Sequence, residues 1–290
     1  MSNWRYPVTP IMTDSLIREW IEQEKERGPK PTAFDTPLRF SSAGDCSRAL
    51  GYQALKYPIT NAFDAPAVWV TGLGTIIHEM VQDAIGRRYP GAVFEPKGAV
   101  HGLTSGHADG VIDGETIQAV IPNWDGGRAL FELKTMGGFA FEKSIGLKRR
   151  AKEIDNPEGP RVSALLQSAI NAYVHDCDTL IIGSISLEAA SRGVAAGAGL
   201  DEIGRFIAEW HIPKSVWMKW ATAEIERQRN IVESAQKGWL SQPVIVEDVD
   251  DEGLVHRSID PTSSRPYWKC DYCAYKEQCV ADGNGILEVN

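Results

Sequence analysis

Arg128-Ala129-Leu130-Phe131-Glu132-Leu133-Lys134-Thr135-Met136 is an apolar stretch interrupted by one acid and one lysine. Upstream of it stands Gly106-His107-Ala108-Asp109. Apolar residues bounded by turn signals predict strands near 92–101, 106–113 and 128–136, with Asp113-Gly114 and Asp125-Gly126-Gly127 as turns between them. Side chains alternate along a strand, so Glu132 and Lys134 leave the same face, about 7 Å apart along the chain. Asp109 on a neighbouring strand can meet them there. Two carboxylates offer oxygen ligands to a hard cation such as Mg²⁺. Such a cation acidifies water and stabilises charge on a scissile phosphate, while a lysine orients the attacking water or neutralises the transition state. The tripeptide alone decides little. Glu95-Pro96-Lys97 has the same spacing with a proline ill-suited to an inner strand, and a solvated strand face explains an isolated Glu-x-Lys better than a catalytic site does.

Working outward, residues 71–88 predict a helix that carries Gly74 and His78, and the break Tyr89-Pro90-Gly91 follows it. The long gap between Asp109 and Glu132 leaves room for an extra hairpin from Glu115 to Ile121. Residues 161–176 predict a helix bearing Gln167, and 179–186 a buried strand. A small-residue-rich loop is expected over 188–200, then a strand over 205–212, and Pro213 opens a long helix to about 236. Further on, Glu247, Asp248, Asp250, Asp251 and Glu252 read as an acidic loop. Near the start, Leu16, Ile17, Trp20 and Ile21 share one face of a helix over 14–27. No repeat and no Gly-x-x-x-x-Gly-Lys-Ser/Thr loop occurs, so a built-in ATP motor is not expected. The order of elements gives a mixed α/β fold.

With 290 residues, 43% hydrophobic and 24% charged, the chain has the composition of a folded protein of one large or two small domains. No apolar run approaches the ~18 residues of a membrane span, and the first residues carry no secretory signal, so no membrane partner and a cytoplasmic location are expected. The net charge of −9 excludes a basic nucleic-acid coat protein but leaves room for a local basic track. Residues 141–153 hold Lys143, Lys148, Arg149, Arg150 and Lys152 against Glu142 and Glu153. This segment directly follows the Glu-x-Lys strand, so Lys148, Arg149 and Arg150 are the candidate contacts to a phosphate backbone.

Cys270, Cys273 and Cys279 form C-x2-C-x5-C, and Cys46 is available as a distant fourth thiolate. In a reducing compartment such a cluster holds metal more often than disulfides. Spacing alone leaves both zinc and an iron–sulfur cluster open. Cys177 lies in a turn and reads as a bystander.

Taken in order, these motifs resemble the RecB-type PD-(D/E)xK nucleases of the iron–sulfur group, related to AddB nuclease domains and CRISPR-associated 4Fe–4S exonucleases. The resemblance runs from about residue 40 to 282. Cys46-Ser47-Arg48 with Tyr52 resembles the family's first-cysteine segment, and Gly74 to His78 its Gly-x-x-x-His helix. Asp109 with Glu132-Leu133-Lys134 resembles the core motif, and Cys270, Cys273 and Cys279 the terminal triplet. The family's Gln-x-x-x-Tyr is only half kept, since Gln167 is followed at that spacing by Asn171, with Tyr173 two residues later.

The resemblance implies a restriction-endonuclease-like core, a mixed sheet flanked by helices, over 71–240. It also implies an iron–sulfur subdomain built from segments 1–70 and 241–290. A 4Fe–4S cluster on Cys46, Cys270, Cys273 and Cys279 is implied, with Mg²⁺ or Mn²⁺ at His78, Asp109 and Glu132. Asp109, Glu132, Lys134 and Gln167 would be the catalytic set. The implied activity is exonucleolytic hydrolysis at DNA ends or single strands, in the cytoplasm of a bacterium or a phage-infected host. Recombination or CRISPR-adaptation proteins would be its partners. Two other classes fit the same residues: a non-catalytic DNA-binding adaptor with a structural cluster, and a zinc-stabilised endonuclease of the same fold.

Overall fold

The computed structural model describes residues 34–61, 65–145, 147–148, 153–154, 158–186, 207–264 and 267–289. The chain begins with β1 (Leu38–Arg39), a 3-10 turn (Phe40–Ser42), α1 (Ser47–Ala54) and α2 (Ala65–Arg88). Four strands follow, β2 (Val93–Phe94), β3 (Lys97–Val100), β4 (Thr104–His107) and β5 (Gly110–Ile112), then α3 (Gly114–Gln118). The central part holds β6 (Ala129–Met136), α4 (Gly138–Ser144), β7 (Leu147–Lys148), β8 (Glu153–Ile154), α5 (Val162–Val174) and β9 (Thr179–Ser186). Next come β10 (Ile207–Pro213), α6 (Lys214–Gln236), β11 (Trp239–Leu240), β12 (Val244–Val249) and β13 (Leu254–Ser258). The last elements are α7 (Trp268–Asp271), α8 (Lys276–Asp282) and β14 (Leu287–Glu288).

A five-stranded sheet in the order β10-β9-β6-β5-β2 forms the centre. Strands β6 and β9 are parallel, Glu132 facing Ile182 and Lys134 facing Ser184, and the other pairs in this sheet are antiparallel. A smaller sheet, β1-β4-β3, lies alongside, with β1 parallel to β4. The fold is therefore mixed α/β, with mixed sheets flanked by helices.

Alternation along β6 decides what each face meets. Ala129, Phe131 and Leu133 belong to a cluster with Ile112, Ile117 and Ile181, against which Ile77, Val81 and Ile85 of α2 pack. Leu130, on the other face, joins the larger core with Leu166, Ala169 and Ile170 of α5 and Trp217 of α6. Helix α5 is buried along most of its length, and its alanines let it lie close to the sheet. Each large apolar side chain sealed this way contributes roughly 1.5–3 kcal/mol. The helix ends where Asp176 takes a left-handed φ of 47°, a conformation that aspartate tolerates better than most residues. The same core also draws in Leu38, Phe40 and Leu50 from the start of the described chain and Val246 from near its end.

Several elements differ from the sequence reading. The segment expected as a hairpin after Glu115 is the short helix α3, because Ile117 needs one buried side and a helical turn supplies it. The helix bearing His78 begins at Ala65, six residues early. The acidic stretch expected as a loop is largely a hairpin: Glu247 and Asp248 lie in β12, which pairs with β13. Its turn is held by Asp250, whose Oδ1 accepts the N–H groups of Glu252 and Gly253. The predicted helix over 14–27 and the loop over 188–200 lie outside the described residues. Among the described residues no helix is long and apolar enough to cross a membrane.

Candidate active site and cysteine cluster

Glu132 is fully buried on the α5 face of β6. Its Oε1 accepts from Lys134 Nζ at 2.6 Å and from Gln167 Nε2 at 2.7 Å. The lysine also donates to Gln167 Oε1 at 3.2 Å, so the three side chains close a ring. Asp109 sits at the join between β4 and β5, where Gly110 pairs with Phe131. Its Oδ2 accepts the Leu133 N–H at 2.6 Å, which fixes the carboxylate against the Glu-x-Lys strand. The other oxygen, Oδ1, lies 3.5 Å from His78 Nδ1 of α2. The solvated-face explanation of Glu132 therefore fails, and five side chains from four parts of the chain meet around the middle of β6.

Charge in this group is finely divided. Burial pushes the Glu132 carboxyl up, against the Lys134 ammonium that pulls it down. Burial would lower Lys134, but the charge and hydrogen bond of Glu132 outweigh it and hold the ammonium above its ordinary value. The two tendencies pull the pair in opposite directions, and the hydrogen bonds decide between them. Both donors aim at Oε1, so that oxygen acts as a carboxylate oxygen. Oε2 is buried and has no hydrogen-bond partner among the described residues. The hydrogen bond to Asp109 raises His78 above the ordinary imidazole range, against a smaller lowering by burial.

The bare Oε2 is the observation against which a cation can be tested. A buried carboxylate oxygen without a donor is costly unless something positive faces it. Asp109 and His78 would add a second oxygen and an imidazole to such a donor set, a combination that suits Mg²⁺ or Mn²⁺. As the side chains stand, His78 and Asp109 face each other. Among the described residues no three His, Cys, Asp or Glu side chains are already in ligating geometry.

Two neighbours of the site escaped the sequence reading. Gln82, one helical turn after His78, donates to the Asp109 backbone oxygen and to Glu95 Oε1, both at 3.0 Å. Its position four residues beyond His78 on the same helix face was the available signal. Asn171, four residues after Gln167, is fully buried and donates to the His107 oxygen at 3.3 Å. It braces the strand that leads to Asp109, whereas Tyr173 is exposed. Of the basic track, Lys148 belongs to β7, and Arg149 and Arg150 lie outside the described residues.

Cys46, at the start of α1, and the three tail cysteines are all free thiols, and among the described residues no three of them stand in ligating geometry. The thiols of Cys270, Cys273 and Cys279 each feel Cys46, and all four are raised, first of all by burial. Cys177 is buried elsewhere, its thiol pushed up to about 12 by burial, with Arg128 and Asp178 as its charged neighbours. The tail is tied down by Tyr52, whose hydroxyl donates to Asp282 at 2.6 Å, and by β14 pairing with β11. Tyr52, Leu240 and Cys279 form a small core of their own.

No family model matches this chain, and neither does any curated protein. Among solved structures it is similar to one described as "Crystal structure of SSO0001", at 15% identity and a TM-score of 0.48, with 94% of this chain and 97% of that chain covered. That likeness is too distant to bear on fold or chemistry.

Proposed function

We propose that this chain is a metal-dependent DNA exonuclease of the RecB-type PD-(D/E)xK class, acting at DNA ends or single strands. The single observation that carries the reading is the buried Glu132 carboxylate, with one oxygen held by Lys134 and Gln167 and the other without a hydrogen-bond partner among the described residues. In this reading His78, Asp109 and Glu132 hold Mg²⁺ or Mn²⁺, which when bound supplies Lewis-acid stabilisation of a phosphate. Lys134 keeps its proton because Glu132 lies 2.6 Å away, and its side chain is still 31% exposed. It can therefore present a positive charge to a phosphate oxygen and orient the attacking water. Gln167 holds Glu132 and Lys134 in register, a task an amide performs by donating to one and accepting from the other. Cys46, Cys270, Cys273 and Cys279 would carry a 4Fe–4S group, a reading supported by the C-x2-C-x5-C spacing and by the electrostatic influence of Cys46 on each tail thiol.

The test is a panel of labelled single-stranded, linear duplex, end-blocked and circular DNA, incubated with Mg²⁺ or Mn²⁺. Digestion of linear and single-stranded DNA with circles spared is the expected result. Cutting of closed circles would make the protein an endonuclease. Binding without any cutting would make it an adaptor. Removing Arg149 and Arg150 should lower the salt dependence of DNA binding by about 1 unit per lost phosphate contact.

A further inference from the structure

Arg48 lies in the first turn of α1, two residues after Cys46, and its side chain is fully buried. Its Nε donates to the Ser241 oxygen at 2.9 Å, and its two terminal nitrogens donate to the oxygens of Gly283 and Gly285. All three acceptors are neutral backbone carbonyls. Among the described residues no carboxylate lies within 4.0 Å of the guanidinium. A guanidinium does not shed its proton in a protein, so this is a permanent buried charge. Buried charges are normally paired.

The acids of the neighbourhood form no ion pair with Arg48. Burial pushes the Asp45 carboxyl up to about 6, against smaller lowerings by Lys269 and Arg227. Glu224 is held by Arg227 and by the Gly44 N–H. Asp282 accepts from Tyr52 and Gln278. The groups on which the Arg48 charge does act include the thiols of Cys46 and Cys279. Four thiols are neutral and cannot balance it. Four thiolates around Zn²⁺ or an iron–sulfur core carry net negative charge and can.

We propose that Arg48 is the counter-charge of an anionic four-thiolate centre at Cys46, Cys270, Cys273 and Cys279, and that it couples loading of that centre to docking of the chain's end. The proposal rests on the cluster reading above. Arg48 is a positioning residue: it follows Cys46 by two residues, and its guanidinium grips the segment just beyond Cys279. Loading the centre gives the buried cation its partner and holds the tail, and stripping the centre leaves the cation unpaired and loosens it.

The test uses the full chain, reconstituted anaerobically with Fe²⁺ and sulfide, or given Zn²⁺ alone, with metal affinity measured by chelator competition. Arg48→Met should lose roughly 10–100-fold in affinity, the usual cost of removing a partner of the ligands. Arg48→Lys keeps the charge and should recover most of it. Parental affinity in Arg48→Met overturns the proposal, as does an equal loss in Arg48→Lys, which would make the role one of shape alone. Limited proteolysis of the unaltered protein gives a measurement independent of the variants: cleavage within 267–289 should speed up when the centre is stripped, and an unchanged rate overturns the coupling. An unaltered protein that takes up neither an iron–sulfur cluster nor Zn²⁺ would instead sink the four-thiolate reading itself.

Discussion

His78 and Lys134 carry the sharpest expectations of any single residues here. An imidazole among oxygen ligands moves metal preference away from Mg²⁺ and toward softer first-row ions. Activity with Mn²⁺ should therefore at least equal that with Mg²⁺, and His78→Ala should lose activity while keeping its circular dichroism spectrum. Full activity in that variant would return His78 to an ordinary hydrogen-bonded histidine. Lys134→Ala should bind DNA and not cut it. It should also be less stable by about 1–3 kcal/mol at neutral pH, because Glu132 loses a charged donor while staying buried. The sign of the pH dependence follows from the upward shift of Glu132. Without the ammonium the carboxyl is raised further, the folded state holds its proton more tightly than the unfolded one, and stability falls as pH rises. Urea unfolding should show a smaller deficit in mild acid than at neutral pH.

Two motif glycines that look alike in sequence do different things in their elements. A Cβ on Gly106 would stand 2.8 Å from Phe40 Cδ2 and 3.0 Å from Phe40 Cβ, and Phe40 is itself locked in the core. Gly106→Ala should cost about 1–3 kcal/mol by overpacking and weaken metal binding by displacing the strand that leads to Asp109. On α2, a Cβ at Gly74 would touch Thr135 Oγ1 at 3.4 Å, an ordinary contact. Gly74→Ala should leave stability unchanged or raise it by up to about 1 kcal/mol, since alanine favours a helix. Thermal melts of the two variants compare them directly. The turn from α5 to β9 adds a pH response of the opposite sign to that of Glu132. Burial, with a smaller push from Arg128, holds His175 below its ordinary value of 6.5, and its Nε2 is buried with no hydrogen-bond partner among the described residues. The unfolded chain then takes the proton more readily, so this contribution is present above the ordinary histidine range and lost as pH falls through it. His175→Gln should flatten the decline in stability between about pH 7 and pH 5.

Across the whole molecule, the proposed centre would join Cys46 to Cys270, which stand 224 positions apart. A metal closure of that length is worth at most roughly 5 kcal/mol by loop entropy, against about 5–15 kcal/mol for the net stability of a domain. Cys46→Ala should be colourless and poorly soluble, whereas Cys177→Ala should match the parent in colour and melting temperature. A Cys46→Ala protein that kept both would remove Cys46 from the ligand set. The amino-acid sequence by itself determined the local pattern: strand alternation put Glu132 and Lys134 on one face, and Cys270, Cys273 and Cys279 fall within ten residues of one another. It also marked the α5 helix and the β9 strand, because periodicity and turn residues act over a few neighbours. It did not separate the β12–β13 hairpin from an acidic loop, since alternating acids fit either. Only the tertiary structure decided that Glu132 is buried rather than solvated, because that depends on α5 covering its face. Only tertiary packing put Gln82 and Asn171 behind Asp109, and sealed Arg48 against Gly283 and Gly285. Burial and long-range hydrogen bonds join residues that no local period relates, and in this chain they set the charge of the candidate site.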